Sequence, residues 1–146
     1  MASDLPTTGA DTVAAPTPAM LAPLRGQGPA VGVVALGGAV GAVTRWAVGL
    51  GVASPLSTFL VNVVGCLAIG LLLEVLTTRR AHPLLRPFLA TGVLGGFTTF
   101  STYAVDAQHL LLSGRVGPAL LYLVGTLVAA VLAAWAGSAL ARAVLR

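Results

Sequence analysis

Four long apolar stretches follow one another along the chain and leave room for little else. They are separated by short polar connections and cover about residues 30–51, 56–76, 86–112 and 118–141. Each stretch can reach the roughly 20 residues that a helix needs to cross the hydrocarbon core of a bilayer. Short connections force neighbouring helices to run antiparallel. The pattern predicts an all-α membrane protein with four transmembrane helices, built by residues 30–146.

Residues 1–29 differ from everything that follows them. They are rich in Ala, Thr and Pro, hold Asp4 and Asp11, and show no apolar periodicity. Such a segment cannot bury enough apolar surface to order itself, so we expect a disordered N-terminal tail. A signal peptide needs a basic region ahead of its apolar stretch. The first basic residue is Arg25, so the sequence does not predict a signal peptide.

The composition excludes an ordinary water-soluble domain. Apolar residues make up 57% of the chain and charged residues 8%, whereas soluble domains carry roughly 25% charged residues. The eight basic residues are all Arg, and they indicate loops near a membrane surface rather than a nucleic-acid partner. Cys66 is the only cysteine, and His82 and His109 lie far apart. Neither zinc binding nor cysteine nucleophile chemistry is therefore expected.

Small residues recur at helical spacing in two of the spans. Gly37 and Gly41 form a GxxxG pattern in the first span, and Ala129, Ala133 and Gly137 form a stripe in the fourth. Small side chains let helix backbones approach closely inside a bilayer, where lipid supplies no hydrophobic drive for association. The stripes predict tight helix packing and indicate nothing about a substrate.

The third span contains an unusually polar segment, residues 91–102, which reads TGVLGGFTTFST. Two adjacent glycines followed by two β-branched threonines are poor material for a continuous helix. A break would free backbone polar groups in mid-membrane, which is tolerated only where they are buried in protein or line a polar cavity. Broken helices of this kind often mark ion sites. The alternative is an intact helix whose hydroxyls bond back to its own carbonyls.

Further polar residues in the spans are candidates for a site, since polar groups are costly in a bilayer. Asn62 is compatible with an interhelical hydrogen bond or with a donor that lines a pore, and the sequence leaves both open. Phe100 and Tyr103 lie three residues apart among hydroxyls, and the positive edges of their rings can hold an anion. Arg45 is either an interfacial residue or an anion-attracting charge at a pore mouth.

Several of these segments together resemble one known family. They read GGAVGAVTRW over residues 37–46, STFLVNVVG over 57–65 and TGVLGGFTTFSTY over 91–103, with a looser ALLYLVGTL in the fourth span. These motifs are similar to those of the CrcB/Fluc family of fluoride channels. The resemblance covers roughly residues 31–141, and its most specific part is GGFTTFST.

The resemblance implies that four-helix subunits pair antiparallel, as a dual-topology-type dimer, with the third helix broken near the membrane midplane. It also implies two pores and a structural Na⁺ at the dimer interface, held by the backbone carbonyls of Gly95 and Thr98. The side chains for which it implies a role in the pore or in fluoride binding are Asn62, Phe100, Tyr103, Thr58, Thr102, Tyr122, Thr126 and Arg45.

Some positions depart from the family pattern. Tyr103 stands where many members have a second pore Phe, so it keeps the ring edge and adds a hydroxyl. Ser57 replaces a Gly, and Thr126 replaces a Ser. Asp106 stands where a Glu is common near the pore mouth. Asp106 and Glu74 both lie toward the ends of their spans, where boundary residues are expected.

The resemblance implies a passive channel that exports fluoride from the cytoplasm and so relieves fluoride toxicity. Fluoride is small and strongly hydrated, and a pore with several weak sites can replace its water and still release it. No GxxxxGK[ST] loop is present, and we expect a channel rather than an enzyme. The alternatives are a small four-span drug/proton antiporter and a structural adaptor. An antiporter would need a carboxylate in the first span, which has none, and an adaptor would gain nothing from a broken helix.

The distribution of Arg predicts how the chain lies in the plasma membrane. If the spans alternate, one side holds Arg25, Arg79, Arg80, Arg86, Arg142 and Arg146. The other side holds Arg115, with Arg45 near it. The excess of positive charge favours N- and C-termini in the cytoplasm. Such a bias fits a subunit of fixed orientation that pairs with an oppositely oriented paralogue, and a homodimer remains the alternative.

Overall fold

The computed structural model of the protein describes residues 27–79 and 81–145, and all of its regular elements in these ranges are helices. They are α1 (Gly28–Gly51), α2 (Leu56–Thr78), α3 (Pro87–Leu94), α4 (Gly95–Phe97), α5 (Ser101–Leu112) and α6 (Val116–Leu145). Elements α3, α4 and α5 together form one span, so four candidate membrane spans result. The prediction of an all-α, multi-pass membrane protein is confirmed.

The ends of the helices differ by a few residues from the predicted spans. Helix α1 begins at Gly28, and the predicted tail otherwise lies outside the described residues. Helix α6 begins at Val116, two residues before Pro118, and it continues to Leu145. A proline in the first turn of a helix costs little, because the N–H that it lacks would have no partner there. The prolines and the hydropathy of the sequence therefore predict that each helix exists, but they do not predict the residue at which it begins.

The third span is broken, as the sequence predicts. It starts as a π-helix in α3, passes through the short α4, and leaves helical geometry at Thr98, whose backbone is extended with φ −72° and ψ 157°. Helical geometry resumes at Ser101, the first residue of α5. Both the N–H and the hydroxyl of Thr98 donate to the carbonyl of Leu94, each at 3.0 Å. The break lies halfway along the span that runs from Pro87 to Leu112.

Close backbone contacts hold the helices together where the sequence places small residues. Helix α1 packs against α3 and α4 at Gly41, where a Cβ would overlap the carbonyl oxygen of Val93. Helix α6 packs against α2 at Gly137, where a Cβ would overlap the carbonyl oxygen of Leu67. Small residues allow the backbones of membrane helices to approach this closely.

The ends of α2 and α6 meet at one side of the bundle. Arg142 Nη1 and Glu74 Oε2 lie 3.3 Å apart and form an exposed ion pair. The loop after α2 and the end of α6 therefore share a side, as alternating spans require. Large apolar side chains such as Trp46 and Trp135 cover the outer surface of the chain. An apolar exterior of this kind is what a bilayer or a partner subunit would cover.

Candidate functional site

Asn62 holds the backbone at the break of the third span. Its Nδ2 donates to the carbonyl oxygen of Thr99 at 3.0 Å, and the N–H of Thr99 donates to its Oδ1 at 2.8 Å. One side-chain amide thus satisfies both backbone groups of a residue that has left the helix. Because an unpaired buried backbone group is costly, Asn62 is a structural partner of the break. Its amide carries two N–H groups, so one is left for another acceptor.

The break also removes the usual helical donors from backbone carbonyls, among them those of Gly95 and Thr98. In a continuous helix, Gly95 and Thr98 would accept from the N–H groups of Thr99 and Thr102. Here the N–H of Thr99 donates to Asn62, and the N–H of Thr102 donates to the hydroxyl of Thr99 at 3.2 Å. These two carbonyls, singled out in the sequence as sodium ligands, are therefore released by the geometry of the break.

Arg45 reaches the break from α1. Its Nη1 donates to the carbonyl oxygen of Thr98 at 3.2 Å, and its side chain is half-buried. The guanidinium also lines a cavity of about 520 Å³ together with Trp46 at the end of α1. The sequence left Arg45 open between an interfacial residue and a charge at a pore mouth. The structure places it in a cavity wall with a backbone partner.

This first cavity is lined by charged, aromatic and hydroxyl side chains from α1, α2 and the break. These side chains include Arg45, Trp46, Ser54, Thr58, Thr99 and Thr102. The hydroxyl of Thr102 accepts from Thr99 and keeps its own hydrogen to donate, and Arg45 supplies a positive charge. The cavity therefore combines attraction for an anion with groups that can replace part of its water.

Asp106 lies at the centre of a buried hydroxyl cluster. Its Oδ2 accepts hydrogen bonds from Thr58 Oγ1 at 2.7 Å, from Ser54 Oγ at 3.2 Å and from Tyr122 Oη at 3.2 Å. The residue is only 8% exposed, so Asp106 is not an exposed boundary residue, a possibility that the sequence had left open. Three hydroxyls compensate a carboxylate that would be costly to bury alone. Thr58 and Tyr122 thus direct their hydrogens at Asp106.

A second cavity of about 480 Å³ lies beside the first, and Thr99 lines both. Its main lining groups are Asn62, Cys66, Thr98, Phe100, Tyr103 and Thr126. Gly95 also lines this cavity, so both released carbonyls belong to residues of its wall. Polar groups are therefore continuous from the cavity that holds Arg45, past the break, to the cavity that holds the aromatic rings.

The aromatic side chains form a connected series. The ring centroids of Phe100 and Tyr103 are 5.8 Å apart, and those of Tyr103 and Tyr122 are 5.4 Å apart, with tilted planes. Phe100 is 79% exposed on the surface of the chain. The hydroxyl of Tyr103 donates to the carbonyl oxygen of Leu123 at 2.8 Å. Tyr103 therefore presents its ring to the cavity, while its hydroxyl is engaged with α6.

Thr126 is the exception among the buried polar side chains. It is only 4% exposed, and its Oγ1 has no hydrogen-bond partner within the described residues. Buried hydroxyls normally have a partner, so the unpaired hydroxyl of Thr126 calls for an explanation. Thr126 lines the same cavity as Asn62 and Phe100.

The candidate residues fall into two groups on either side of Thr99. Arg45, Thr58 and Thr102 line the first cavity, whereas Asn62, Phe100, Tyr103 and Thr126 line the second. Tyr122 connects the two groups through Asp106 and the ring of Tyr103. The sequence analysis did not name Ser54 and Cys66 as site residues. Ser54 lies in the loop before α2, whereas Cys66 lies on α2 one helical turn beyond Asn62. The four-residue spacing from Asn62 was the signal that could have identified Cys66, and no helical spacing points to Ser54.

The fold and this site define the class of protein to which the chain belongs. It is a small multi-pass membrane protein in which polar groups line two adjoining cavities at a broken helix. Comparison with known proteins gives the family. Residues 32–138 match the model of the family described as CrcB-like protein, Camphor Resistance (CrcB), and the chain belongs to this family.

The relatives of the chain are bacterial proteins of similar length. The chain is 51% identical over 128 residues to the fluoride-specific ion channel FluC 1 of Streptomyces coelicolor, covering 84% of this chain and 83% of the relative. It is 50% identical over 129 residues to FluC 2 of Streptomyces avermitilis, covering 80% and 82%. It is 45% identical over 117 residues to FluC of Chloroflexus aurantiacus, covering 75% and 92%.

Proposed function

We propose that this chain is the subunit of a fluoride-selective channel that lets fluoride leave the cytoplasm passively. The names of its relatives support fluoride as the ion. The observation that carries the proposal is the second cavity, which is lined by Asn62 with its remaining N–H, by Thr126 with its unpaired hydroxyl and by Phe100. Donors and ring edges suit a small anion, and no carboxylate lines this cavity.

Passage would proceed by exchange of hydrogen-bond partners. Arg45 attracts the anion into the first cavity, where the hydroxyl of Thr102 replaces part of its water. The hydroxyls of Thr58 and Tyr122 already donate to Asp106, so fluoride must compete with a carboxylate for them. Competition keeps each site weak, and weak sites in series permit release as well as binding. No energy source is required, because hydrogen fluoride that enters the cell ionises and accumulates there as fluoride.

A structural Na⁺ fits the two carbonyls released by the break. Gly95 and Thr98 would supply one backbone oxygen each, and the same pair from a second subunit would complete the ligand set. The ion would fix the break and would not permeate. Thr98 would share its carbonyl between the ion and Arg45, which the two lone pairs of the oxygen permit. Two oxygens from one chain are too few to replace the water of a cation, so this site requires a dimer.

Two such subunits would pair antiparallel across the face that exposes Phe100. Arg79, Arg86 and Arg142 lie at one end of the described bundle, and Arg115 lies at the other. This bias favours cytoplasmic N- and C-termini, and it favours a partner of opposite orientation. A C-terminal topology reporter on the chain expressed alone tests the orientation. A mixed reporter signal together with full fluoride resistance would contradict the fixed orientation and indicate a homodimer.

The decisive experiment measures fluoride efflux from liposomes that contain the purified protein. A fluoride electrode should record rapid efflux once a potassium ionophore removes the opposing voltage, and chloride efflux should stay at the level of empty liposomes. Efflux of a cation or a drug without fluoride efflux would overturn the proposal and favour the antiporter. The antiporter has little support in the structure, because no acidic residue occurs in α1.

A further inference from the structure

Cys66 lies in the wall of the second cavity, one helical turn beyond Asn62 on α2. Its side chain is half-buried. The position of α2 at this point is fixed by Gly65, which packs against the methyl group of Thr98 and the ring of Phe97. A larger residue at position 65 would overlap Thr98. Cys66 thus follows a residue of α2 that is packed against the break, and it lies on a helix rather than on a loop.

A second observation shows that this cavity has room and chemistry for a ligand. The hydroxyl of Thr126 is buried, has no partner within the described residues and lines the same cavity as the thiol. Asn62 also lines this cavity and has an N–H to spare. Cys66 therefore shares a cavity with the two groups that could bind an anion.

We propose that Cys66 is a modification site within the anion path, at which a small thiol-reactive electrophile closes the channel. The inference rests on the proposed function and deepens it, because it names a residue at which conduction is switched off. The thiolate, not the thiol, is the reactive form, and it must be reached by the reagent through water. Cys66 is half-buried in the wall of the second cavity, so water and reagent that enter this cavity can reach it.

The chemistry is a thiol–disulfide type of exchange with methyl methanethiosulfonate. The thiolate sulfur of Cys66 attacks the sulfenyl sulfur of the reagent, an S–S bond forms, and the S–SO₂ bond breaks. Methanesulfinate leaves with the electron pair of that bond, and the thiol proton goes to solvent. The product is a methyl disulfide whose added group takes up space in the cavity that Asn62 and Thr126 also line. Dithiothreitol reverses the reaction and regenerates the thiol.

The experiment uses the full chain in liposomes, where Cys66 is the only cysteine and labelling has a single target. Mass spectrometry counts the added methylthio groups, and the fluoride electrode records efflux before labelling, after labelling and after dithiothreitol. The expected result is complete labelling, loss of efflux to the level of empty liposomes and recovery on reduction. Fluoride in the medium should slow the labelling, whereas chloride at the same concentration should not.

Two variants serve as controls. Cys66→Ala is compared with itself before and after the reagent, and its efflux should not respond. Val64→Cys in the Cys66→Ala background carries the thiol on a neighbouring position that is 52% exposed and lines neither cavity. Its labelling should leave efflux unchanged.

The outcomes separate the inference from the proposed function. Fluoride efflux that survives complete labelling of Cys66 would overturn the inference alone. Failure to label Cys66 in the folded protein, while denatured protein is labelled, would also overturn it, because the thiol would then lie outside the path. Absence of fluoride efflux before any labelling would overturn the proposed function and the inference with it.

Discussion

Replacement of Asn62 by leucine tests how the break is held in place. Leucine has nearly the same size, so Asn62→Leu removes the amide and leaves little empty space. The N–H and the carbonyl of Thr99 then lose their partners, which lie at 2.8 Å and 3.0 Å in the wild type. We expect both a less stable protein and a loss of fluoride efflux, because the break and the cavity wall depend on the same side chain.

The size of the effect follows from the two unpaired groups. Each buried polar group left without a partner costs about 1–3 kcal/mol. The two groups together would therefore lower the free energy of unfolding of Asn62→Leu by about 2–6 kcal/mol, which is the upper expectation. Hydrogen bonds between membrane helices average about 0.6 kcal/mol each, so the lower expectation is about 1 kcal/mol. Asn62→Asp separates the two roles, since it keeps an acceptor for the N–H of Thr99 and places a negative charge in the anion path. It should lose efflux with a smaller loss of stability.

Ser138→Ala is the matched control for this measurement. Its hydroxyl donates from α6 to the carbonyl of Gly70 at 3.1 Å, and Gly70 lies inside α2, where its carbonyl keeps a helical partner. We expect a loss of about 0.6 kcal/mol and unchanged efflux. Stability is measured by unfolding in mixed micelles of rising dodecyl sulfate content. If Asn62→Leu unfolds at the same dodecyl sulfate content as Ser138→Ala, the break does not depend on Asn62.

Four further predictions follow from the aromatic series, the carboxylate and the released carbonyls. Phe100→Ile keeps bulk and loses the ring edge, so efflux should fall sharply in a folded protein; unchanged efflux would limit Phe100 to packing. Tyr103→Phe should conduct almost normally and lose about 0.6 kcal/mol of stability, since only the bond to Leu123 disappears. A large loss of efflux would show that the Tyr103 hydroxyl serves the ion. Asp106→Asn removes the charge that competes for hydroxyl hydrogens, so half-maximal conductance should occur at a lower fluoride concentration, and a higher one would contradict the exchange of partners. Replacement of sodium by N-methylglucamine should weaken the dimer and slow efflux, whereas no change in either would argue against a structural cation at Gly95 and Thr98.

The helices and the break were predictable because their causes are local. Twenty apolar residues in a row predict a membrane span whatever the rest of the chain does. The segment over residues 91–102 combines two glycines with β-branched threonines, and this composition disfavours a helix at the point where the structure leaves it, Thr98. A local cause of this kind is fully present in the sequence.

The partners of the polar residues were not predictable, because they depend on packing between distant segments. Asn62 and Thr99 are 37 positions apart, and Ser54 and Asp106 are 52 positions apart. Hydropathy places Asp106 near the end of a span and therefore at the surface. Only the packing of α5 against α2 and α6 shows that three hydroxyls surround it. The resemblance to known channels named the candidate site residues, and the structure supplied the contacts between them.

The contact at Gly41 has a consequence for gating. Helix α1 touches the backbone of α3 and α4 there with no Cβ between them. A rotation of α1 by one residue would bring Val40 or Ala42 to that position, and either side chain would collide with Val93. The contact therefore disfavours rotation of the helix next to the break, and switching requires two packing arrangements. Single-channel records should accordingly show long, uninterrupted openings without voltage dependence.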